Sequence, residues 1–181
     1  SSLLSMLCDV ASMANTASDA EAAIVFALQR VGTYSAWNCG HAWLPCNDSP
    51  GNLFLGHTWY QEGSAVFDEF RQVIAAGPAR RADGLVGRVF ANGAPEFTTD
   101  MAAHLSNYQI SPAMFAHIQS VCAFPILAGK HTVGVMEFFA EKHVQPTDEM
   151  AAYMATVGTQ LGRVIERVQA AQALSKSRER L

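Results

Sequence analysis

Residues 121–140 read VCAFPILAGKHTVGVMEFFA, and residues 147–181 read TDEMAAYMATVGTQLGRVIERVQAAQALSKSRERL. In the first stretch two apolar runs, Val121 to Leu127 and Val133 to Ala140, flank Ala128-Gly129-Lys130-His131. That pattern predicts an antiparallel hairpin. The second stretch opens at Pro146-Thr147 and then carries no Pro, so it reads as one long helix. A hairpin that runs into a long helix, with more strand pairs upstream, indicates an α+β fold with helices packed on a sheet.

Within the helix, Met150, Met154, Val157, Leu161, Val164, Val168 and Ala171 alternate at four- and three-residue spacing. This is the repeat of a helix that packs lengthwise on a partner helix. At 1.5 Å per residue the stretch reaches about 50 Å. A domain of this size has a gyration radius of roughly 16 Å, so the helix should overhang. Leu3, Leu7, Val10 and Ala14 repeat the same spacing in a first helix. The reading is therefore a dimer seam built from Leu3, Leu7, Val10, Met150, Met154, Val157, Leu161, Val164 and Val168. The repeat breaks after Ala171, where Leu174 follows three residues later. Such a phase break locally overwinds or frees a coiled coil.

Between the ends, Ser18-Asp19-Ala20-Glu21 reads as a capping box opening a second helix with Ile24, Leu28 and Val31 on its core face. Asn38 to Cys46 and Leu53 to Gln61 read as strands joined by a turn at 48–52. Ser64 caps a short helix carrying Phe67, Phe70 and Ile74, and a turn at Asp83-Gly84 leads to another over Leu85 to Phe90. Pro95 to Thr98 reads as a short strand. Asp100 and Ser111-Pro112 start two short helices that fill a connection of about 20 residues, a length typical of lids and binding loops. The chain divides into a globular unit over 1–146 and a closing helix over 147–181 that runs into a linker.

The chain has 181 residues, half of them hydrophobic, and a formal net charge of −4. That supports a sizeable core, and no basic stripe marks a nucleic-acid surface. No run is long and apolar enough for a membrane span, and no signal-peptide pattern is read. The chain starts Ser-Ser, which points to an excised fragment. The cysteines at 8, 39, 46 and 122 form no CxxC. They read as reduced thiols in a cytoplasmic domain.

The pattern resembles the GAF domain over residues 1–170. Gly84-Leu85-Val86-Gly87-Arg88-Val89 with Asn92-Gly93 looks like the short helix before the middle strand. Ala123-Phe124-Pro125-Ile126 with Gly134 to Phe139 looks like the terminal hairpin. Pro146-Thr147-Asp148-Glu149 looks like the start of the closing helix, and Trp37 to Trp43 looks like the first strand of GAF domains in bacterial sensor proteins. Residues 158–167 resemble the segment leading into a sensor or histidine-kinase linker. The resemblance implies a GAF-like central antiparallel sheet of about six strands. The N- and C-terminal helices would pack on one face and short lid helices on the other.

Activities known in the family can be weighed residue by residue. Methionine sulfoxide reductases of this fold use paired accessible cysteines, but loop 84–90 has none and Cys122 lies on a core strand. Bilin-binding relatives attach the chromophore through a cysteine before the penultimate strand. Residues 100–120 contain none, which excludes covalent bilin there. Cyclic-nucleotide binders carry an Asn-Lys pair and a Phe where this chain has Ala140-Glu141 and Val144. Asp148-Glu149 is accounted for as negative charge in the first turn of a helix. His104 and His117 in the lid could offer an axial haem ligand, but partly exposed histidines on an amphipathic helix account for them better. Cys39-x-His41 is not a structural zinc spacing, so no metal is expected.

Alternation puts His41 and Trp43 on one strand face. With Trp59, Tyr108, Phe115, His117, Phe124 and Met136 they form the candidate ligand pocket, apolar with a few polar groups. No catalytic set is present. The resemblance implies a regulatory sensory module in a bacterial two-component or related signalling protein. The expected partners are a second copy of the chain and an output domain beyond Leu181, a histidine kinase or diguanylate cyclase. The alternative is a ligand-free dimerising spacer.

Overall fold

The hairpin and the long helix are both present, and they pack against each other. The computed structural model describes residues 3–45, 52–63, 65–76, 80–81, 84–105, 108 and 110–180. In chain order the elements are α1 (Leu3–Thr16), α2 (Ala20–Ser35), β1 (Cys39–Pro45), β2 (Asn52–Gln61), α3 (Val66–Ala76), β3 (Arg80–Arg81), α4 (Gly84–Asn92), β4 (Glu96–Thr98), α5 (Met101–Leu105), α6 (Pro112–Phe115), β5 (Ser120–Ala128), β6 (His131–Ala140) and α7 (Asp148–Glu179). The strands form one sheet in the order β3-β2-β1-β6-β5-β4, and every pairing is antiparallel. The expected turns at 48–51 and 83, the Ser64 cap and Cys46 lie outside the described residues.

Each face of the sheet has its own core. On one side α1, α2 and α7 cover Ala42, Phe124, Ile126, Met136 and Phe138. On the other, Cys39, Trp43, Val121, Val135 and Phe139 pack against Phe67, Phe70 and Ile74 of α3, Leu85, Val86 and Val89 of α4, and Met114 of α6. The alternation of strand side chains produces this division. Burying each such apolar side chain contributes roughly 1.5–3 kcal/mol.

Local signals place the helices. Asp19, not Ser18, caps α2 by accepting from the Glu21 backbone N–H at 2.9 Å. Thr147 caps α7 through the Met150 N–H at 3.1 Å. Gly158 and Gly162 let α7 lie directly on β5, because a Cβ at either would run into the carbonyl oxygen of Pro125 or Leu127.

The stripe read as a dimer seam is occupied inside the subunit. Val10, Met150, Met154, Val157, Leu161 and Val164 are all buried, and Leu3, Leu7 and Val168 pack against the same core. The partner helices that the spacing required are α1 and α2 of the same chain. Arg167 reinforces the contact by donating to the carbonyls of Ala14 and Ala17 at the end of α1. From Gln169 onward every described residue of α7 is exposed, so the helix does overhang. None of the described helices is long and apolar enough to cross a membrane.

Candidate functional site

From Val133 to Ala140 the central strand β6 is apolar apart from one carboxylate. Glu137 sits between Met136 and Phe138, which face the α1/α2/α7 side. Alternation therefore turns Glu137 toward the lid side, with Val135 and Phe139. Its side chain is fully buried. An ionised carboxylate in such a place must be paired and hydrogen-bonded, and this one has four donors.

Two donors come from β1. His41 pairs directly with Glu137 across the β1–β6 ladder. His41 Nε2 lies 2.7 Å from Oε1, and Trp43 Nε1–H donates to the same oxygen at 3.0 Å. The other two come from the lid. Strand β4 pairs with β5 at the sheet edge, and Asp100 then turns the chain into α5 by accepting from the Ala103 N–H at 3.2 Å. The short helix brings His104 over β5 to β6, where its Nε2 is 2.8 Å from Glu137 Oε2. Tyr108 donates its hydroxyl to Oε1 at 2.6 Å.

Burial alone would push the Glu137 carboxyl up. Hydrogen bonds from His104 and His41, and the positive charge of those imidazoles when protonated, overturn this and hold it well below the ordinary value. The ionised form of Glu137 is thus favoured beneath the lid, ringed by its four donors. Its surroundings are aromatic: the His41 ring stacks on Trp59 at 4.4 Å between centroids and meets Trp43 edge-on at 5.2 Å. The His104 ring meets Tyr108 edge-on at 5.7 Å. The network is incompletely satisfied, because Nδ1 of both His41 and His104 is buried with no partner.

Of the residues expected to line a pocket, His41, Trp43 and Tyr108 converge on Glu137, and Trp59 stacks on His41. Three others do not join them. His117 is exposed. Phe124 and Met136 pair with each other across the hairpin, but they face the opposite core. The side chain of Phe115 lies outside the described residues. Glu137 is absent from the sequence-based candidates, and the preferred account there of His104 as a partly exposed helical histidine is overturned, because that side chain is buried. The available signal was a single carboxylate in an otherwise apolar strand, since a charge there requires partners.

A groove of about 220 Å³ runs between α4 and α5, with Arg88, Thr98, Asp100 and His104 on its walls. Arg88 is engaged by Glu96 at 3.2 Å. A larger groove of about 590 Å³ lies between α2 and β2. It meets the cluster only through Trp59, and its phenol, Tyr60, is already bonded to Glu62 at 2.6 Å.

Among the described thiols, Cys39 and Cys122 are not poised for redox chemistry. Burial pushes Cys39 up to about 12 and raises Cys122 well above the ordinary thiol value, so neither supplies thiolate at neutral pH. Among the described residues no group of three or more His, Cys, Asp or Glu is arranged to hold a metal ion.

Comparison with known proteins gives one family and many structures of the same shape. The GAF domain from a phosphoenolpyruvate-protein phosphotransferase (ptsP) of Coxiella burnetii superposes with a TM-score of 0.72 at 18% identity, covering 94% of this chain and 96% of that one. Free methionine-R-sulfoxide reductase from Neisseria meningitidis, solved with its substrate, gives 0.69 at 17% identity, with coverage of 93% and 91%. Residues 122 to 287 of a methyl-accepting chemotaxis protein give 0.65 at 14% identity, with coverage of 91% and 99%. At these identities the likeness is one of fold. No curated protein sequence gives a significant match. The model of the GAF domain matches residues 9–166, and the chain belongs to the GAF domain family.

Proposed function

We propose that this domain is a regulatory sensory module of a bacterial signalling protein, non-catalytic in itself, which reports the state of its lid through α7. The observation that carries this reading is the attachment of the lid to the central strand by His104 and Tyr108, both bonded to the buried Glu137. Two short helices, α5 and α6, are held closed over a charged group, and a closed state of that kind can be biased by anything that competes for the charge. The neighbouring strand β5 carries α7 on its other face, through Gly158 and Gly162, so a change at the lid side has a short path to the long helix.

The output side is the exposed end of α7. Helical segments of this length are marginal alone in water, and residues 169–179 are all exposed. A second copy of the chain pairing along this end, with Leu174 at 55% exposure, would supply it. In this reading the buried stripe closes the domain and the overhang forms the dimer. An output domain beyond Leu181, a histidine kinase or diguanylate cyclase, would receive the change.

The test is the distance between spin labels at position 177 of two copies, in a Cys8→Ser background, with and without His104→Ala. A sensory module gives a changed distance distribution when the lid is released. An unchanged distribution from a folded variant identifies a structural spacer instead.

A further inference from the structure

We infer that the ligand of the lid site is a small organic cation bearing at least two N–H groups, a primary ammonium or a guanidinium, which takes the places of His104 and Tyr108 on Glu137. The inference rests on the sensory reading above and specifies its ligand.

Three features lead to it. The first is charge. Glu137 is fully buried, and its own donors include two imidazoles. Whatever replaces the lid donors must bring N–H or O–H groups and preferably positive charge, because stripping donors from a buried carboxylate without replacement is strongly unfavourable. A neutral acceptor or an anion fails this requirement outright.

The second is the wall of the site. Two rings stay beside the carboxylate when the lid donors leave: Trp43 bonds it directly, and Trp59 stacks on His41. Aromatic faces beside an anion suit a cation with an apolar body, through its attraction to the ring quadrupoles.

The third is the imperfect closed state. His104 Nδ1 is buried and without a hydrogen-bond partner, an unfavourable state for a polar atom. Moving His104 outward gives that nitrogen to water, so the lid histidine is a replaceable occupant. It stands on the wall of the groove between α4 and α5, about 220 Å³ in volume, and bonds Glu137 with its Nε2, so in this proposal the groove is the ligand's approach. Asp100 stands on the same wall, while the guanidinium there, Arg88, is matched by Glu96. The approach therefore favours a cation over an anion.

The experiment uses the full 181-residue chain and four probes: methylguanidinium, n-butylammonium, tetramethylammonium, which has charge but no N–H, and neutral acetamide. Tryptophan fluorescence reports on Trp43 and Trp59, and thermal shift provides a second signal. The expected result is saturable binding of methylguanidinium or n-butylammonium, with at most weak response to the other two. His104→Ala, which removes the internal competitor, should tighten binding about tenfold, the effect of one competing hydrogen bond. Glu137→Gln should abolish it. If Glu137→Gln does not fold, the His104→Ala comparison still decides. Equal binding of acetamide or tetramethylammonium overturns the cation assignment and leaves the sensory reading intact. Failure of every probe on both wild type and a folded His104→Ala variant also overturns it, and the spin-label distances then judge the sensory reading separately.

Discussion

His104 Nε2 lies 2.8 Å from Glu137 Oε2, which joins a five-residue lid helix to the central strand of the sheet. Both side chains are almost wholly buried. A bond in such a setting has two consequences. It fixes where the lid rests, and it makes each partner's loss costly, because the other is left charged or unpaired without water.

The clearest expectation concerns Glu137 itself. Glu137→Leu strands the donors of His41, Trp43, His104 and Tyr108 in an apolar layer. It should lower the unfolding free energy by about 3–5 kcal/mol, the usual penalty for removing one member of a buried charged set. Urea denaturation at neutral pH measures this. A loss below about 1 kcal/mol, the size of an exposed pair, would show that the carboxylate is not held as described.

The same residue sets an acid limit. Its carboxyl is held well below its ordinary value of 4.5 in the folded state, so between the folded value and 4.5 the unfolded chain binds more protons. Stability then rises with pH across that window. The contribution of Glu137 is fully present above about pH 4.5 and is lost as pH falls through the folded value. Wild type should therefore lose stability more steeply below pH 4.5 than a folded Glu137→Gln variant. Parallel curves for the two proteins would contradict the shift.

The thiols offer a check on the lid-side core. Cys39 and Cys122 are buried and Cys8 is exposed. With Cys39 pushed up to about 12, iodoacetamide at pH 8 should modify Cys8 and leave Cys39 and Cys122 intact until the chain unfolds. Peptide mapping by mass resolves each position. Early labelling of Cys39 would mean that the layer around Glu137 opens to solvent far more readily than its packing indicates.

Much of the architecture was legible because it rests on local periodicity. The hairpin at 128–131, the proline start of α6 and the Thr147 cap each follow from a few adjacent residues. The two-residue strand β3 has no such signal, since its pairing to Asn52 and Leu53 is purely tertiary. The stripe on α7 was read correctly as a packing surface, but spacing alone does not say whether the partner belongs to the same chain. The pocket was half legible for a related reason. Alternation groups residues by face but does not name the face, so Phe124 and Met136 were assigned to the side that Glu137 occupies.

Glycines on α7 test its packing on the subunit's own sheet. Gly158→Ala or Gly162→Ala would drive a Cβ into the carbonyl of Pro125 or Leu127. Overpacking of this kind costs about 1–3 kcal/mol or more, against a helix-propensity gain of about 1 kcal/mol for Ala over Gly. Backbone cannot move as a flexible side chain can, so the net effect should be destabilising, and greater at Gly162, where the overlap is closer. A lower urea midpoint for both variants supports the intramolecular contact. Unchanged or raised midpoints would mean that α7 is not seated on β5 as described.

The overhang separates folding from association. Residues 169–180 are exposed throughout, so deleting everything after Val168 removes no buried apolar surface from the subunit. The shortened chain should keep its urea midpoint within the range of ordinary surface changes, about 0.5 kcal/mol. If the overhang forms the dimer, sedimentation of the intact chain should show a concentration-dependent dimer that the shortened chain lacks. Leu174→Lys should weaken that dimer without altering the monomer's stability, because Leu174 is a large apolar side chain at 55% exposure. A shortened chain that still dimerises would move the interface back onto the domain, where Leu4, at 71% exposure on α1, is the residue to substitute next.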